Sequence, residues 1–557
     1  MSHVTRQWSV LNTDPTKSLL EKVLENRGLT TPEEIEYFFN HATHDFHDPF
    51  LMKDMTKAVT RIQKAITGQE RIVIYGDYDV DGMSGTAVLF HALKKLGALI
   101  SYRVPHRLDD GYGIHKKFID EFEKINVSLV ITVDCGISCA TEIAYAAEKK
   151  IDIIVSDHHS IPEKMPIAAV AILHPLQKNC PYPFKGLTGS GVAFKLAHAL
   201  LRDTPHADMI ESLCDLASFG TIADLGPLLG ENRTIVTRGL HAFRKTKWIG
   251  LEHLKKTAQI SSDLHPLDTT VVGFKIGPRI NAAGRIAHPY IALQLMIQED
   301  PEKSYKIALE LETLNNRRRE MTEKACQEAE YQVGKARDTS AIVAKNTDWH
   351  TGILGLIAAR LSERHQKPAF IFHDRGAFLT ASVRSPGAHN VMDMLKKVAP
   401  LMTTFGGHPQ AAGLTVSREN FGKFKETIEN MLIPIEGAEG KKIELEAEID
   451  PRDLTIKTVE MLEKLHPFGI GNEKPVFMIR AAKITEMKVI GKGRDHLKMT
   501  LECGEKRIDA VAFGMGDTKM RRGEHVDIAG SIEKNTFNGK TKLQIMVQEM
   551  KTREMID

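Results

Sequence analysis

Residues 72–82 read IVIYGDYDVDG, which places Asp77, Asp79 and Asp81 at every second position directly after a β-branched run. Three like charges so close repel one another, and a divalent cation held among them relieves the repulsion. The DxDxDG spacing also opens a calcium EF-hand loop, but that loop needs a bidentate Glu at its twelfth position and a helix before it. Counted from Asp77, the twelfth residue is Val88, and the preceding run reads as a strand, so the EF-hand is excluded. Two further strand-like runs end in the same chemistry: LVITVDCG delivers Asp134, and IDIIVSDHH delivers Asp157, His158 and His159. In open α/β sheets, ligands gather beyond the carboxyl ends of the strands. A single Asp there is usually a helix cap; three acidic or imidazole clusters at three such ends point to one shared metal site. Carboxylates joined by imidazole suit Mn2+ or Mg2+. A carboxylate between two ions can bridge them at about 3.5–4 Å, the spacing of two-metal hydrolases.

The elements that must position these groups alternate along the chain. RIVIYGD, SLVITVDCG and IDIIVSDHH read as strands, with the helical runs GTAVLFHALKKLG and CATEIAYAAEKK between them, which predicts an α/β domain with a parallel sheet covered on both faces. Residues 1–50 read as a helical lead-in, with SLLEKVLENRG ending on glycine and TPEEIEYFFN starting on Thr-Pro. Residues 51–305 form the parallel-sheet domain, mainly helical over 190–260. A charged, glycine-poor stretch at 306–337 reads as a long connector helix, and 338–440 as a smaller α/β domain. From 441 to 557 about five short strands and an Asn538-Gly539 hairpin turn predict a small β-barrel of the OB type.

The 557 residues exceed one ordinary core, at roughly 100–200 residues per domain. A net charge of +2 neither favours nor excludes nucleic acid, because a binding groove needs local charge only. The six cysteines contain no CxxC pair and read as reduced, buried thiols. The start MSHVTRQWSVLN lacks an apolar leader and no run of about 18 apolar residues occurs, so the expectation is a soluble, cytoplasmic protein without a membrane segment.

DYDVDG, VDCG and SDHH, followed by GTIADLGPL, resemble the successive motifs of the DHH phosphoesterases, and SVRS at 382–385 with FGGHPQAAGL at 405–414 resembles their DHHA1 companion domain. NRGLTTPEE, HDPFLMKDM, RLDDGYG, GPRINAAGR, WHTGILGLIAARL and PFGIGNEKPVF extend the likeness along nearly the whole chain to the RecJ-type branch of that family. The resemblance implies that residues 51–305 are the catalytic DHH domain and 338–440 the DHHA1 domain. It also implies two divalent ions held by Asp79, Asp81, Asp134, His158 and Asp224, with Asp134 bridging and Asp77 a near ligand or a base. Asp157 would orient the neighbouring imidazole, and His159 would face the scissile phosphate.

An enzyme that cuts from an end must hold the terminal phosphate, and the planar fork of arginine suits that task. Arg107, Ser382 and Arg384 are the candidates, with Gly406 and Gly407 beside His408 allowing backbone N–H groups close to an anion. Tyr112 is expected to stack on or wedge against a base, and Arg279 and Arg285 to follow the backbone. The resemblance implies 5′→3′ removal of mononucleotides from single-stranded DNA in recombination and repair, within a ring too narrow for duplex. Single-strand binding protein and a RecQ-type helicase are the implied partners. Lys492, Arg494, Lys498, Lys534, Lys540 and Lys542 on the barrel are expected to meet phosphates, with Phe537 at a hairpin tip. Two rival readings stay open: a hydrolase of short oligoribonucleotides or nucleotides from the same family, and a replication scaffold with a dead site.

Overall fold

A computed structural model describes residues 7–260, 267–334, 339–387, 389–431, 442–491, 493–537 and 539–553. The chain forms two compact units, residues 45–436, and residues 1–44 together with 437–557.

In the larger unit, strands Leu99–Arg103, Arg71–Gly76, Val127–Val133, Asp152–Ser156 and Ala171–Leu173 lie side by side in that order, every pair parallel. Alternation along each strand divides the side chains between two cores. Ile72 and Ile74 join Ile131 and Val133 beneath helices Met55–Thr67, Val80–Lys95 and Gly189–Leu201. Val73 and Tyr75 join Val130 and Val155 against helices Lys116–Lys124 and Ala140–Glu148. Each such fully buried Val or Ile contributes about 1.5–3 kcal/mol. Both faces are covered, so the strand sequences read as unbroken apolar runs, and the carboxyl ends of the strands are left open for polar residues.

The helical stretch after the sheet comprises Gly189–Leu201, Met209–Ala223, Gly230–Arg244 and Ile249–Thr257. The long helix runs over Pro301–Val333, starting five residues before the expected 306. Its start is set by Asp300, whose side chain accepts from Glu302 N and Lys303 N, with Pro301 in the first turn. At about 1.5 Å per residue it spans about 50 Å. Ala308 and Leu311 are buried in the core of the parallel-sheet domain, and Ala325, Ala329 and Val333 in that of the next domain. That domain carries a five-stranded mixed sheet in the order Thr404–His408, Ala411–Ser417, Phe378–Arg384, Ala369–Asp374, Ile342–Asn346.

In the smaller unit, strands Phe477–Ile490, His496–Cys503, Lys506–Ala512, Lys540–Thr552 and His525–Phe537 close into a five-stranded barrel, as the strand-rich texture predicts. Gly539 takes the left-handed backbone (φ +73) that the final hairpin needs. Lys492 and Asn538, read from the sequence as a barrel cation and as half of that turn, lie outside the described residues, as does the side chain of Phe537. The reading of 1–50 as purely helical needs correction. Besides helices Leu19–Asn26 and Pro32–Phe39, it contains a strand, Trp8–Asn12, paired in parallel with Ile443–Ala447. That strand's partner is more than 400 residues away, so no local pattern could announce it.

Candidate metal and phosphate site

The acidic residues are placed by the ends of elements rather than by the elements themselves. Strand Arg71–Gly76 delivers Asp77, and Asp79 is the N-cap of helix Val80–Lys95, its side chain accepting from Asp81 N and Gly82 N. Asp134 follows strand Val127–Val133 in a left-handed backbone conformation (φ +62), uncommon for a residue with a Cβ and a mark of a constrained functional turn. Asp157, His158 and His159 follow strand Asp152–Ser156, and Asp224 closes helix Met209–Ala223.

These segments converge. His158 Nε2 lies 3.1 Å from Asp134 Oδ1, 3.5 Å from Asp224 Oδ2 and 3.7 Å from Asp81 Oδ2. Three overlapping sets could hold a cation: Asp77, Asp79 and Asp134; Asp81, His158 and Asp224; Asp134, His158 and His159. Asp134 and His158 each belong to two of them. Asp77 Oδ1, Asp134 Oδ1 and His158 Nε2 are buried and have no hydrogen-bond partner among the described residues. Burial and then mutual repulsion push the carboxyls upward: Asp77 and Asp134 well above the ordinary value, Asp79 above it, and Asp224 to about 8. Orphaned ligand atoms and crowded, destabilised carboxylates are what a pair of hard cations would satisfy. The residues present fit Mn2+ or Mg2+.

Asp157 stands apart. Burial works to raise its carboxyl, but the His159 ring and backbone N–H donors, among them Ile137 N at 2.9 Å, outweigh burial and hold it below the ordinary value. His159 Nδ1 donates to Asp157 Oδ1 at 2.8 Å, which fixes the ring and raises its basicity against the desolvation that works to lower it. The orienting role expected of Asp157 therefore acts on His159. Tyr112, expected to stack on a base, uses its hydroxyl here: it donates to Asp134 O at 3.1 Å and lies 3.0 Å from His159 Nδ1. The residue remains 41% exposed beside the site.

A feature not read from the sequence lies beneath Asp81. This fully buried carboxylate accepts from Gly189 N at 2.6 Å and Ser190 N at 2.9 Å, the first turn of helix Gly189–Leu201. Glycines make room for it. A Cβ on Gly189 would sit 2.5–2.7 Å from three side-chain atoms of Asp134, and one on Gly220 would sit 2.3 Å from Asp81 Oδ1. The small-residue run TGSG before a helical pattern was the available signal.

The expected phosphate-binding residues gather on the DHHA1-like sheet and the segment that faces it. Strand register puts Arg384, Ala411 and His408 in one row and Ser382, Gly413 and Gly406 in another. Arg384 donates to Ser382 Oγ at 3.3 Å. Burial lowers Arg384, and so does the nearby Arg107, whose guanidinium lies 4.9 Å from the Tyr78 ring centre. Arg285 is pushed down to about 9 by burial and then by Arg107, Arg318 and Arg384, opposed by Asp79. It donates to Gly352 O at 3.3 Å. Arg107, Arg285 and Arg384 thus form a partly desolvated cationic cluster that feels the acidic site. Gly406 has open space where a side chain would be, whereas a Cβ on Gly407 (φ +150) would strike Ala411 O, so that glycine serves the hairpin itself. Arg279 donates to Glu312 Oε2 at 2.5 Å and to Lys275 O at 2.7 Å, tying its helix to the long connector.

Comparison with known proteins decides the family. A curated relative from Bacillus subtilis strain 168, described as "Single-stranded-DNA-specific exonuclease RecJ", is 36% identical over 545 residues, 96% of this chain and 68% of that protein. The chain belongs to the RecJ family. The Escherichia coli K12 member is 30% identical over 96% of this chain and 95% of its own length. Residues 71–221 match the family described as "DHH family, N-terminal domain", 338–433 the "DHHA1 domain" and 445–549 the "RecJ OB domain". The crystal structure of RecJ from Thermus thermophilus in complex with Mn2+ superposes with a TM-score of 0.82 at 27% identity, over 99% of this chain and 80% of that one. The Mg2+ complex of the same RecJ gives 0.77, over 98% and 79%.

Proposed function

We propose that this RecJ-family protein is a metal-dependent, single-stranded-DNA-specific exonuclease that releases 5′-mononucleotides in the 5′→3′ direction, acting in DNA recombination and repair. The observation that carries this reading is the meeting of Asp77, Asp79, Asp81, Asp134, His158 and Asp224 around orphaned ligand atoms, with an arginine cluster close enough to be felt electrostatically. Asp79, Asp81, Asp134, His158 and Asp224 would hold two ions, Mn2+ or Mg2+, with Asp134 between them. When bound, such ions lower the pKa of water and neutralise charge on phosphoryl and leaving oxygens.

The chain's own residues do the rest. Asp77, whose Oδ1 is buried without a hydrogen-bond partner, would serve as a near ligand or take a proton from the attacking water. His159, held through Nδ1 by Asp157, keeps Nε2 for a non-bridging phosphate oxygen, and its raised basicity favours the charged, donating form. Arg107, Arg384 and Arg285 would hold the 5′ phosphate and Ser382 would add a hydroxyl donor. Water adds to phosphorus, the P–O3′ bond breaks, and a 5′-mononucleotide departs from a strand that again begins with a 5′ phosphate.

A time course on 5′- and 3′-labelled single strands with Mn2+ tests the reading. Early release of the 5′ label as mononucleotide with slow shortening of the 3′-labelled strand supports it. Cleavage confined to oligomers of a few residues would favour the short-oligonucleotide hydrolase, and no cleavage with either ion would favour the scaffold. Single-strand binding protein and a RecQ-type helicase are proposed partners because the substrate must first be unwound and kept single. No helix among the described residues is long and apolar enough to cross a membrane, and a DNA-processing role accords with the cytoplasmic location proposed for it.

A further inference from the structure

The outer surface of the barrel carries two features that folding alone does not favour, and they adjoin. In the antiparallel pair Phe477–Ile490 with His496–Cys503, Lys488 stands directly opposite Lys498, and both are exposed. Like charges directly across a strand pair are destabilising, and among the described residues neither ammonium is in an ion pair. Two residues further along, Ile490 stands opposite His496. The His496 ring meets Phe513 edge-on with centroids 5.0 Å apart, and its Nδ1 accepts from Gly514 N at 3.2 Å, which fixes the imidazole. Phe513 is 61% exposed although it directly follows a strand whose neighbours Ala510 and Ala512 are fully buried. Arg494, exposed in the adjoining loop, extends the basic edge, Asp495 lies beside the ring with its Oδ1 3.7 Å from His496 Nε2, and Glu486 and Asp509 lie one row beyond the lysines on the other side.

We propose that Phe513, braced by His496 beside the Lys488–Lys498 pair, is a base-stacking platform for single-stranded DNA on the barrel. The proposal rests on the exonuclease reading given above and names how the barrel would grip the strand. A nucleic-acid backbone is the occupant that answers both features: a phosphate relieves the paired ammonium groups, and a neighbouring base covers the exposed ring whatever its identity. A purely apolar partner would leave the lysines repelling, and an anion without a ring would leave Phe513 in water.

The test uses the full chain in EDTA, so that nothing is cut, with a long 3′-fluorescein-labelled oligothymidylate read by anisotropy across a salt series. Phe513→Ala is expected to weaken binding about 5- to 150-fold while leaving the slope of log K against log salt unchanged. Phe513→Trp is expected to restore affinity and Phe513→Leu is not. Lys498→Ala is expected to reduce the slope by about 0.7 and, by removing the like-charge pair, to raise the thermal midpoint. An abasic site stepped along the oligonucleotide should weaken wild-type binding at one register and have no further effect in Phe513→Ala. Wild-type affinity in Phe513→Ala, or a change of slope without loss of affinity, would overturn the platform and leave the barrel face to a protein partner. Failure of the wild type to bind any single strand would instead remove the exonuclease reading itself.

Discussion

Substituting Gly220 by alanine should disable the metal site from behind, without replacing any of the residues proposed to hold the ions. The added Cβ would lie 2.3 Å from Asp81 Oδ1 and 2.2 Å from Ser190 Oγ. Relief to ordinary contact near 3.4 Å requires the Asp81 oxygen to retreat by about 1 Å. Metal sites tolerate ligand displacements of about 0.2 Å, so the carboxylate would leave one ion and would also lose its bonds from Gly189 N and Ser190 N. Displacing a group that orients a ligand typically lowers metal affinity about 10- to 100-fold, and overpacking by one methyl typically destabilises by about 1–3 kcal/mol. Calorimetric titration of Mn2+ into wild type and Gly220→Ala reads the first, and thermal unfolding in EDTA the second. The double variant Gly220→Ala/Ser190→Ala removes the 2.2 Å contact and keeps those with Asp81 Oδ1 at 2.3 Å and the residue 190 Cβ at 2.6 Å, so it should regain part of the stability and none of the metal affinity. Mn2+ affinity within twofold of wild type in the single variant, with the protein folded, would refute the idea that the Gly220 gap fixes Asp81.

Asp134→Ala should abolish Mn2+- and Mg2+-dependent hydrolysis, leave strand binding in EDTA largely intact, and raise the thermal midpoint without metal, because it removes a carboxyl raised strongly by burial and by its acidic neighbours; a lower midpoint would contradict this electrostatic reading. Arg384→Ala should erode the preference for 5′-phosphorylated over 5′-hydroxyl strands by roughly tenfold or more, the worth of a charge-assisted hydrogen bond, seen in competition assays, and equal loss on both ends would place Arg384 elsewhere along the strand. Buried Asp215, held by Thr246 Oγ1 and Trp248 Nε1, is raised from 3.8 to about 7 by burial. An acid raised on folding stabilises fully below its unfolded value, and that contribution is lost as pH rises towards the folded value. Denaturant melts should therefore show stability falling from about pH 4 to pH 7 by less in Asp215→Asn than in wild type, and parallel profiles would reject the shift.

How much of this was legible follows from the range of the interactions. The parallel sheet was legible because both faces of its strands are buried, so Ile72, Val73, Ile74 and Tyr75 form one apolar run. The convergence of Asp77, Asp134 and Asp157 at the strand ends was legible because polar residues interrupt such runs only there. The strand Trp8–Asn12 was not, since it gains its meaning only from Ile443–Ala447, and neither was the fate of Arg279, since a lone arginine beside GP and NAAG reads the same whether Glu312 or a phosphate receives it. Tyr112 lies beside the acidic cluster, but the sequence could not tell that its hydroxyl reaches the Asp134 carbonyl.

Taken together, the larger unit is electrostatically incomplete in two opposite ways. The carboxyls are raised by burial and by one another, and the arginines Arg285 and Arg384 are lowered by burial and by their cationic neighbours. Asp79 and Arg107 already feel each other, yet that attraction does not offset either cluster. Only cations at the first and a phosphate at the second remove both penalties, and one phosphodiester chain with its metal ions supplies both. Binding of Mn2+ and of a 5′-phosphorylated strand should therefore be mutually reinforcing, each tightening the other by the same factor. Titrations of a slowly cleaved phosphorothioate strand with and without Mn2+, repeated in Arg384→Ala, measure that factor. It should fall toward one in the variant, and an undiminished factor would separate the arginine cluster from the metal site.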